Sequence, residues 1–373
     1  MGKTGFVDKI RGSLVGGAIG DALGYAVEFM SWSSIQRRYG VEGIQSYDLT
    51  FGDEVAVFSD DTQMSLFTAN GILLYETARR LGDVQGSVVD YVYVAYREWL
   101  KTQRGGVDLK GEHRCWLYEI AGLHEDRAPG GTCLSALRSG TMGTIQAPLN
   151  DSKGCGGVMR VAPLALCYEP KNEEDQRRLD RESAEIAAIT HGHPLGYLPA
   201  AILTHIVSVG VYGDGTLSLK EAVDEAWASV KDQFKDEVPA ADLATMEELI
   251  VKAEELAETS GDDEEHIRAL GEGWVGEEAL AIAIYCALRY PTDFGKAVVA
   301  AVNHSGDSDS TGAVVGNILG AWLGYEAIEE KWKTNLEMID VLLEMADDLG
   351  RLASSDAPPT DEAWLKKYRQ RQR

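Results

Sequence analysis

The chain has 373 residues, 45% of them hydrophobic and 25% charged, the make-up of a globular protein with a sizeable core rather than a disordered one. Its 60 acidic residues against 35 basic ones give a net charge of −25. A field of that sign repels phosphate backbones and excludes extended nucleic-acid binding, yet leaves room for a small anion held by helix N-termini, backbone N–H groups or bound cations.

From the N-terminus, Met1-Gly2-Lys3-Thr4-Gly5-Phe6 lacks the apolar core of a signal peptide. Residues 10–27 are apolar and small and read as a helix. Val55-Ala56-Val57-Phe58 is too short to be more than a lead-in to the next element. Helical spacing follows over 63–80, 88–102, 198–211, 218–230, 243–258, 277–290, 310–323 and 335–352. Turn-rich loops at 103–114, 124–133 and 147–158 separate these segments, and loops of that length often carry function. Residues 231–266 are strongly acidic and read as a solvated helical face. The expected fold is all-α, a single domain over 1–353 followed by a connector and basic tail over 354–373. No uncharged apolar run reaches spanning length, so no membrane is expected as a partner. The five cysteines (Cys115, Cys133, Cys155, Cys167, Cys286) are scattered and form no CxxC pair, which suits reduced thiols and a cytoplasmic location.

Two segments share a repeat. Gly12, Gly16, Gly20 and Gly24 recur every four residues, as do Gly312, Gly316, Gly320 and Gly324. Each glycine inside a helix costs about 1 kcal/mol against alanine. Spacing of four puts them on one face, where another backbone can come close. Two tightly packed central helices are the expectation.

The second series is entered through Asp307-Ser308-Asp309-Ser310, and the helix at 63–80 through Ser59-Asp60-Asp61-Thr62. Either cluster alone can be a helix N-cap with aspartates favoured by the dipole. Both lead into apolar segments, where adjacent like charges are costly unless a cation or hydrogen bonds offset them. Together they offer four carboxylates and two hydroxyls, a hard-oxygen set suited to a pair of Mg²⁺ or Mn²⁺ ions. Zinc fits less well, because paired cysteines and an HExxH motif are missing.

On these residues the chain resembles the ADP-ribosylglycohydrolase family, over roughly residues 8–325. The ordered motifs are Gly16-Gly17-Ala18-Ile19-Gly20-Asp21-Ala22-Leu23-Gly24 with Glu28-Phe29, then Ser59-Asp60-Asp61-Thr62-Gln63-Met64. Next come Ser152-Lys153-Gly154-Cys155-Gly156-Gly157-Val158-Met159-Arg160 and Thr190-His191-Gly192-His193-Pro194. Gly273-Trp274-Val275 with Glu277-Glu278-Ala279-Leu280, and Gly306-Asp307-Ser308-Asp309-Ser310-Thr311-Gly312, complete the series.

The resemblance implies a single multi-helix domain holding two divalent cations, Mg²⁺ or Mn²⁺, on Ser59, Asp60, Asp61, Asp307, Asp309 and Ser310. Many relatives have threonine where Ser59 and Ser310 stand; serine keeps the hydroxyl. Glu28 falls where the family carries a flap glutamate near the scissile bond. Ser152, Gly154, Cys155 and Gly156 would form the loop that cradles a diphosphate, with His191, Gly273 and Trp274 also facing the ADP-ribose. Asp60 or Asp61 would position or deprotonate the attacking water, and Glu28 is the other candidate for proton transfer. The implied reaction is hydrolysis of a glycosidic bond at C1″, with an ADP-ribosylated protein as substrate and ADP-ribose as product. The motif forms look more like the arginine-directed branch than the serine-directed one. The alternatives are another ADP-ribosyl linkage, or a protein that neutralises an ADP-ribosyltransferase partner by binding it.

Overall fold

The two glycine series meet each other. In the computed structural model, which describes residues 5–50, 54–103 and 113–369, they lie on α1 (Gly5–Tyr25) and α14 (Ser308–Leu323). A Cβ placed on Gly20 would fall 1.9 Å from the carbonyl oxygen of Gly312, and one on Gly312 would fall 2.4 Å from that of Gly20. The same reciprocal contact joins Gly16 with Gly316 and Gly12 with Gly320, so the helices run antiparallel with backbones touching. Gly24 meets the carbonyl of Ser308 as the last rung. Gly324 lies past the end of α14: at φ +87° it caps the helix, its N–H donating to Gly320 O, and its carbonyl carbon lies 2.7 Å from a Cβ placed on Gly12. This register sets the start of α14 beside the end of α1, and so fixes where the Asp307 cluster lies.

The remaining elements in chain order are α2 (Trp32–Tyr39), α3 (Asp60–Leu81), α4 (Val88–Thr102), α5 (Gly131–Arg138), α6 (Ala162–Cys167), α7 (Glu173–Ala188) and α8 (Pro194–Tyr212). After them come α9 (Leu219–Phe234), α10 (Ala240–Glu258), α11 (Asp263–Leu270), α12 (Gly276–Arg289) and α13 (Phe294–Val302). The chain ends with α15 (Glu330–Lys333), α16 (Ile339–Ala353) and α17 (Glu362–Tyr368). Among the described residues there is no strand, and the protein is all-α as expected. Helix α1 packs on α14, α13 and α16, α3 on α4 and α16, α7 on α8, and α10 on α12.

Several elements depart from the spacing argument for identifiable reasons. The buried face of α7 is made of Gln176, Asp180, Ser183, Ala184, Ala187 and Ala188 besides Leu179 and Ile186, so few large apolar side chains mark it. Helix α16 starts at Ile339 rather than 335, because Asn335 and Met338 have φ of 65° and 50°. Helix α8 is long and apolar enough to cross a membrane, contrary to the expectation that no run reaches that length. Sixteen of its 19 residues are buried inside the protein. Residues 362–368 fold back as α17, whose Trp364 and Tyr368 are buried, with Trp364 Nε1 donating to Thr77 Oγ1 at 2.9 Å. Lys367 meets Asp348 at 2.9 Å, so part of the basic tail rests on acidic residues of α16. The segments 104–112 and 370–373 lie outside the described residues.

Candidate metal centre

Asp21, the only charged residue between Arg11 and Glu28, organises the first cluster. Its Oδ1 accepts from Ser59 N at 2.8 Å, and its Oδ2 from Thr62 N at 2.9 Å and Thr62 Oγ1 at 2.5 Å. A carboxylate on the seam helix thus pins the first turn of α3. Ser59 caps that helix, its Oγ accepting from Asp61 N at 3.2 Å. Asp307 caps α14, with its Oδ1 accepting from Ser310 N at 3.4 Å. The N-cap reading is therefore correct for both clusters, and it coexists with their convergence. Ser310 Oγ donates to Asp61 Oδ2 at 2.8 Å across 249 residues of chain.

The tightest acidic group among the described residues is Glu28, Asp307 and Asp309, with one oxygen from each within 4.8 Å of the others. All three are buried, and Glu28 Oε2 has no hydrogen-bond partner. Burial, followed by the Asp309 charge, pushes the carboxyls of Asp60, Asp61 and Asp307 well above the usual range. The same two causes lift Asp21 to about 7 and Glu28 to about 11. An oxygen-rich set this strongly self-repelled, with an unpartnered carboxylate oxygen facing it, fits hard divalent cations.

The direction of the effect on stability follows. Asp21 and Glu28 keep their protons when folded up to about 7 and about 11, whereas the unfolded chain releases them near 3.8 and 4.5. Within those windows the folded state binds more protons, so this cluster costs stability as pH rises. A cation that replaces the protons should raise the melting temperature more at about pH 8 than at about pH 5. Thermal melts with Mg²⁺, with Mn²⁺ and with EDTA at both pH values measure this; an equal or smaller cation effect at the higher pH would contradict it.

The loop implied to bind diphosphate adjoins the second cluster. The Cys155 thiol donates to Asp307 Oδ2 at 2.7 Å, and burial raises that thiol well above its ordinary value. Cys155 to Gly157 form a single 3₁₀ turn. Cys155 N donates to Trp274 O at 3.1 Å and Gly276 N to Lys153 O at 2.8 Å, which ties the loop to the 273–276 segment. Lys153 also pairs with Glu277. Gly273, at φ +81°, lies against Thr311 of α14, and a Cβ there would be 2.8 Å from Thr311 Cγ2. Ser152 Oγ accepts from Gly154 N at 3.3 Å and lies 3.2 Å from Thr132 Oγ1. His191 is buried with its ring against Gly154 and Gly156. At the exposed edge Trp274 stacks on Phe29, ring centroids 6.1 Å apart. His193 has a separate, local role: its Nδ1 accepts from Leu195 N and caps α8.

The expected residues thus come from the starts of α3 and α14, from the turn after α1 that carries Glu28, and from the 152–157, 190–193 and 273–276 segments. Sequence reasoning assigned no role to Asp21, Thr62 or Tyr25, and marked the 127–130 segment only as part of the turn-rich loop 124–133. Tyr25 lies where Arg127, Glu28 and Asp21 all act on its hydroxyl. Asp60 N donates to Arg127 O at 2.9 Å, and Gly130 N to Asp60 Oδ2 at 3.3 Å. Among the described residues, the four non-glycine positions with positive φ are Glu54, Ala128, Asn335 and Met338. Ala128 lies within the 127–130 segment, and Glu54, Asn335 and Met338 border the bridge in which Ala56 N donates to Asn335 O and Glu337 N to Ala56 O. Asp21, the lone charge in the small-residue stretch between Arg11 and Glu28, was the one signal that could have exposed this layer.

The chain is similar to known proteins over most of its length. The chain is 27% identical to the ADP-ribosylhydrolase ARH3 of Danio rerio, over 92% of this chain and 90% of that one. It is 24% identical to the ADP-ribosyl-[dinitrogen reductase] glycohydrolase of Rhodospirillum rubrum, over 91% and 97%. A solved structure described as an ADP-ribosylglycohydrolase-related protein complex superposes with a TM-score of 0.64 at 22% identity, covering 94% of this chain and 99% of that one, and so shares the fold. With a buried carboxylate centre built on the paired glycine helices, and a family model described as ADP-ribosylglycohydrolase matching residues 3–359, the chain belongs to the ADP-ribosylglycohydrolase family.

Proposed function

We propose that this hydrolase releases ADP-ribose from modified proteins by cleaving the glycosidic bond at C1″, with arginine as the preferred acceptor and two Mg²⁺ or Mn²⁺ ions as cofactors. The observation that carries the reading is the convergence of Glu28, Asp307 and Asp309 within 4.8 Å, joined to the first cluster through Ser310 and Asp61. Ser59, Asp60, Asp61, Asp307, Asp309 and Ser310 would hold the cations. When bound, these would orient the cis hydroxyls of the distal ribose and offset the carboxylate charge.

The remaining work belongs to the chain's own groups. Asp60 or Asp61 orients the attacking water and accepts its proton. Burial opposes ionisation of Glu28, which makes it the group placed to protonate the departing nitrogen. The surrounding carboxylates favour the positive charge that develops on the ribose ring. Backbone N–H groups of the 152–157 loop and His191 receive the diphosphate. The arginine preference is supported by the Ser152-Lys153-Gly154-Cys155-Gly156 form of the loop and by an acidic surround that suits a guanidinium. None of the five cysteines is in a disulfide, which suits a reducing cytoplasm.

Incubation with arginine- and serine-ADP-ribosylated peptides, with Mg²⁺ and then with EDTA, tests the proposal. ADP-ribose should be released from the arginine peptide and release should stop with EDTA. Release from the serine peptide alone would overturn the arginine assignment. Release from neither under any metal condition would overturn the hydrolase reading and leave the alternative of blocking a transferase by binding.

A further inference from the structure

Arg160 is fully buried, yet among the described residues no carboxylate lies within ion-pair distance of it. Its guanidinium lies 4.4 Å over the ring of Tyr96 and donates to Cys133 Sγ at 3.2 Å, Ile186 O at 3.5 Å and Thr190 Oγ1 at 2.6 Å. Its Nε has no partner. Burying a cation without a close ion pair is costly, and the carboxylate that feels its charge is Asp60, a member of the first cluster, so the position calls for a function.

The short bond to Thr190 dictates where a proton must be. A guanidinium can only donate, so Thr190 Oγ1 accepts from it and must direct its own single proton elsewhere. His191 Nδ1 lies 2.8 Å from that hydroxyl. An imidazole lone pair is a much better acceptor than the Cys133 sulfur nearby, so the hydroxyl proton goes to Nδ1. Nδ1 is then unprotonated and the ring proton sits on Nε2. That nitrogen faces the loop: a Cβ on Gly154 would lie 3.3 Å from it and one on Gly156 3.2 Å. Only glycine at both positions lets the ring edge lie open to what the loop holds.

We infer that Arg160 and Thr190 are positioning residues that lock His191 in the Nε2–H tautomer, so that a neutral donor faces the diphosphate in the 152–157 loop. The inference rests on the reading that this loop receives a diphosphate. Burial, and after it the Arg160 charge, hold the imidazole neutral by lowering its pKa to about 3. A neutral donor suits this place. The fixed N–H serves the ligand with no change of protonation. The orienting chain runs Arg160 to Thr190 to His191, and none of these side chains is a cation ligand.

The test is ¹H–¹⁵N correlation of the ring nitrogens in the ligand-free protein, with His191 assigned by its loss in His191→Gln. It is paired with calorimetric titration of ADP-ribose in the presence of Mg²⁺. The wild type should show a pyrrole-type Nε2 and a pyridine-type Nδ1. Thr190→Val, which keeps shape and loses the hydroxyl, should populate the other tautomer and weaken ADP-ribose binding about tenfold. Thr190→Ser should restore both, which a purely structural role would not require. A protonated Nδ1 in the wild type would overturn the inference. So would a Thr190→Val protein with a cooperative melt, unchanged tautomer and unchanged affinity. If the wild type fails to bind ADP-ribose at all, the diphosphate reading falls, while the ligand-free spectrum still decides the tautomer.

Discussion

Asp309→Asn is expected to lower ADP-ribose release by at least about a hundredfold and, at the same time, to stabilise the metal-free protein by about 1–3 kcal/mol at neutral pH. Asp309 is the charge common to the whole centre: it raises Asp21, Glu28, Asp60, Asp61 and Asp307 alike. The asparagine keeps the volume, and its Oδ1 can still accept from Ser310 N, as the aspartate does at 2.9 Å. What is lost is one negative charge from a buried set. Without a cation that loss relieves repulsion, so the melting temperature in EDTA rises. With a cation it removes a ligand, so the melting shift on adding Mg²⁺ or Mn²⁺ shrinks. Opposite signs in EDTA and in metal distinguish a cation site from a cap that happens to be acidic. If Asp309 acted only at the N-terminus of α14, neutralising it would lower stability in both conditions. Melting curves in both buffers, with turnover on an arginine-ADP-ribosylated peptide, read out the prediction; lower stability in EDTA with normal turnover would refute it.

The second large effect is expected at the seam. Gly20→Ala should cost more than about 4 kcal/mol, enough to leave little folded protein, although alanine is ordinarily the better helix residue by about 1 kcal/mol. The added methyl would sit 1.9 Å from Gly312 O and 2.3 Å from its carbonyl carbon. Both are backbone atoms, so no side chain can turn aside. The helices must separate along the seam, and every rung from Gly12–Gly320 to Gly24–Ser308 then loses contact. The same shift carries the start of α14 away from α3, where Ser310 meets Asp61, so any folded remainder should show a weaker cation-induced rise in melting temperature. Gly5→Ala is the control, since a Cβ there meets nothing within 4 Å. Soluble yield and melting temperature measure the contrast, and equal melting of the two variants would show that the seam is not close-packed.

The legible part of this protein was periodic or compositional. Spacing of four exposed the seam, because a one-face repeat of glycine has few causes other than close backbone approach. Apolar spacing located the long amphipathic helices, and failed where helices bury small or polar residues, as α7 does with Asp180, Ser183 and Ala184. Local chemistry near the carboxylates was also readable, since Ser59 and Asp307 do cap the helices they precede. The layer behind them was not. Asp21 reaches Ser59 and Thr62 across about 40 residues of chain, and no local pattern announces a bond of that span. Arg160 looked like the end of a glycine-rich motif, and only its burial without a carboxylate partner marks it as unusual.

The sequence by itself therefore determined the class of fold, the helix carrying each glycine series, and the two acidic helix starts. Helical period and capping are local interactions, encoded within a turn or two of the residues concerned. The antiparallel register of α1 on α14, the meeting of Asp61 with Ser310, the entry of Glu28 among Asp307 and Asp309, and the Arg160–Thr190–His191 chain were decided only in the tertiary structure. Each depends on which distant backbone fills the space beside a residue. Sequence spacing can show that space is left open, as the glycines do, but only packing shows what enters it.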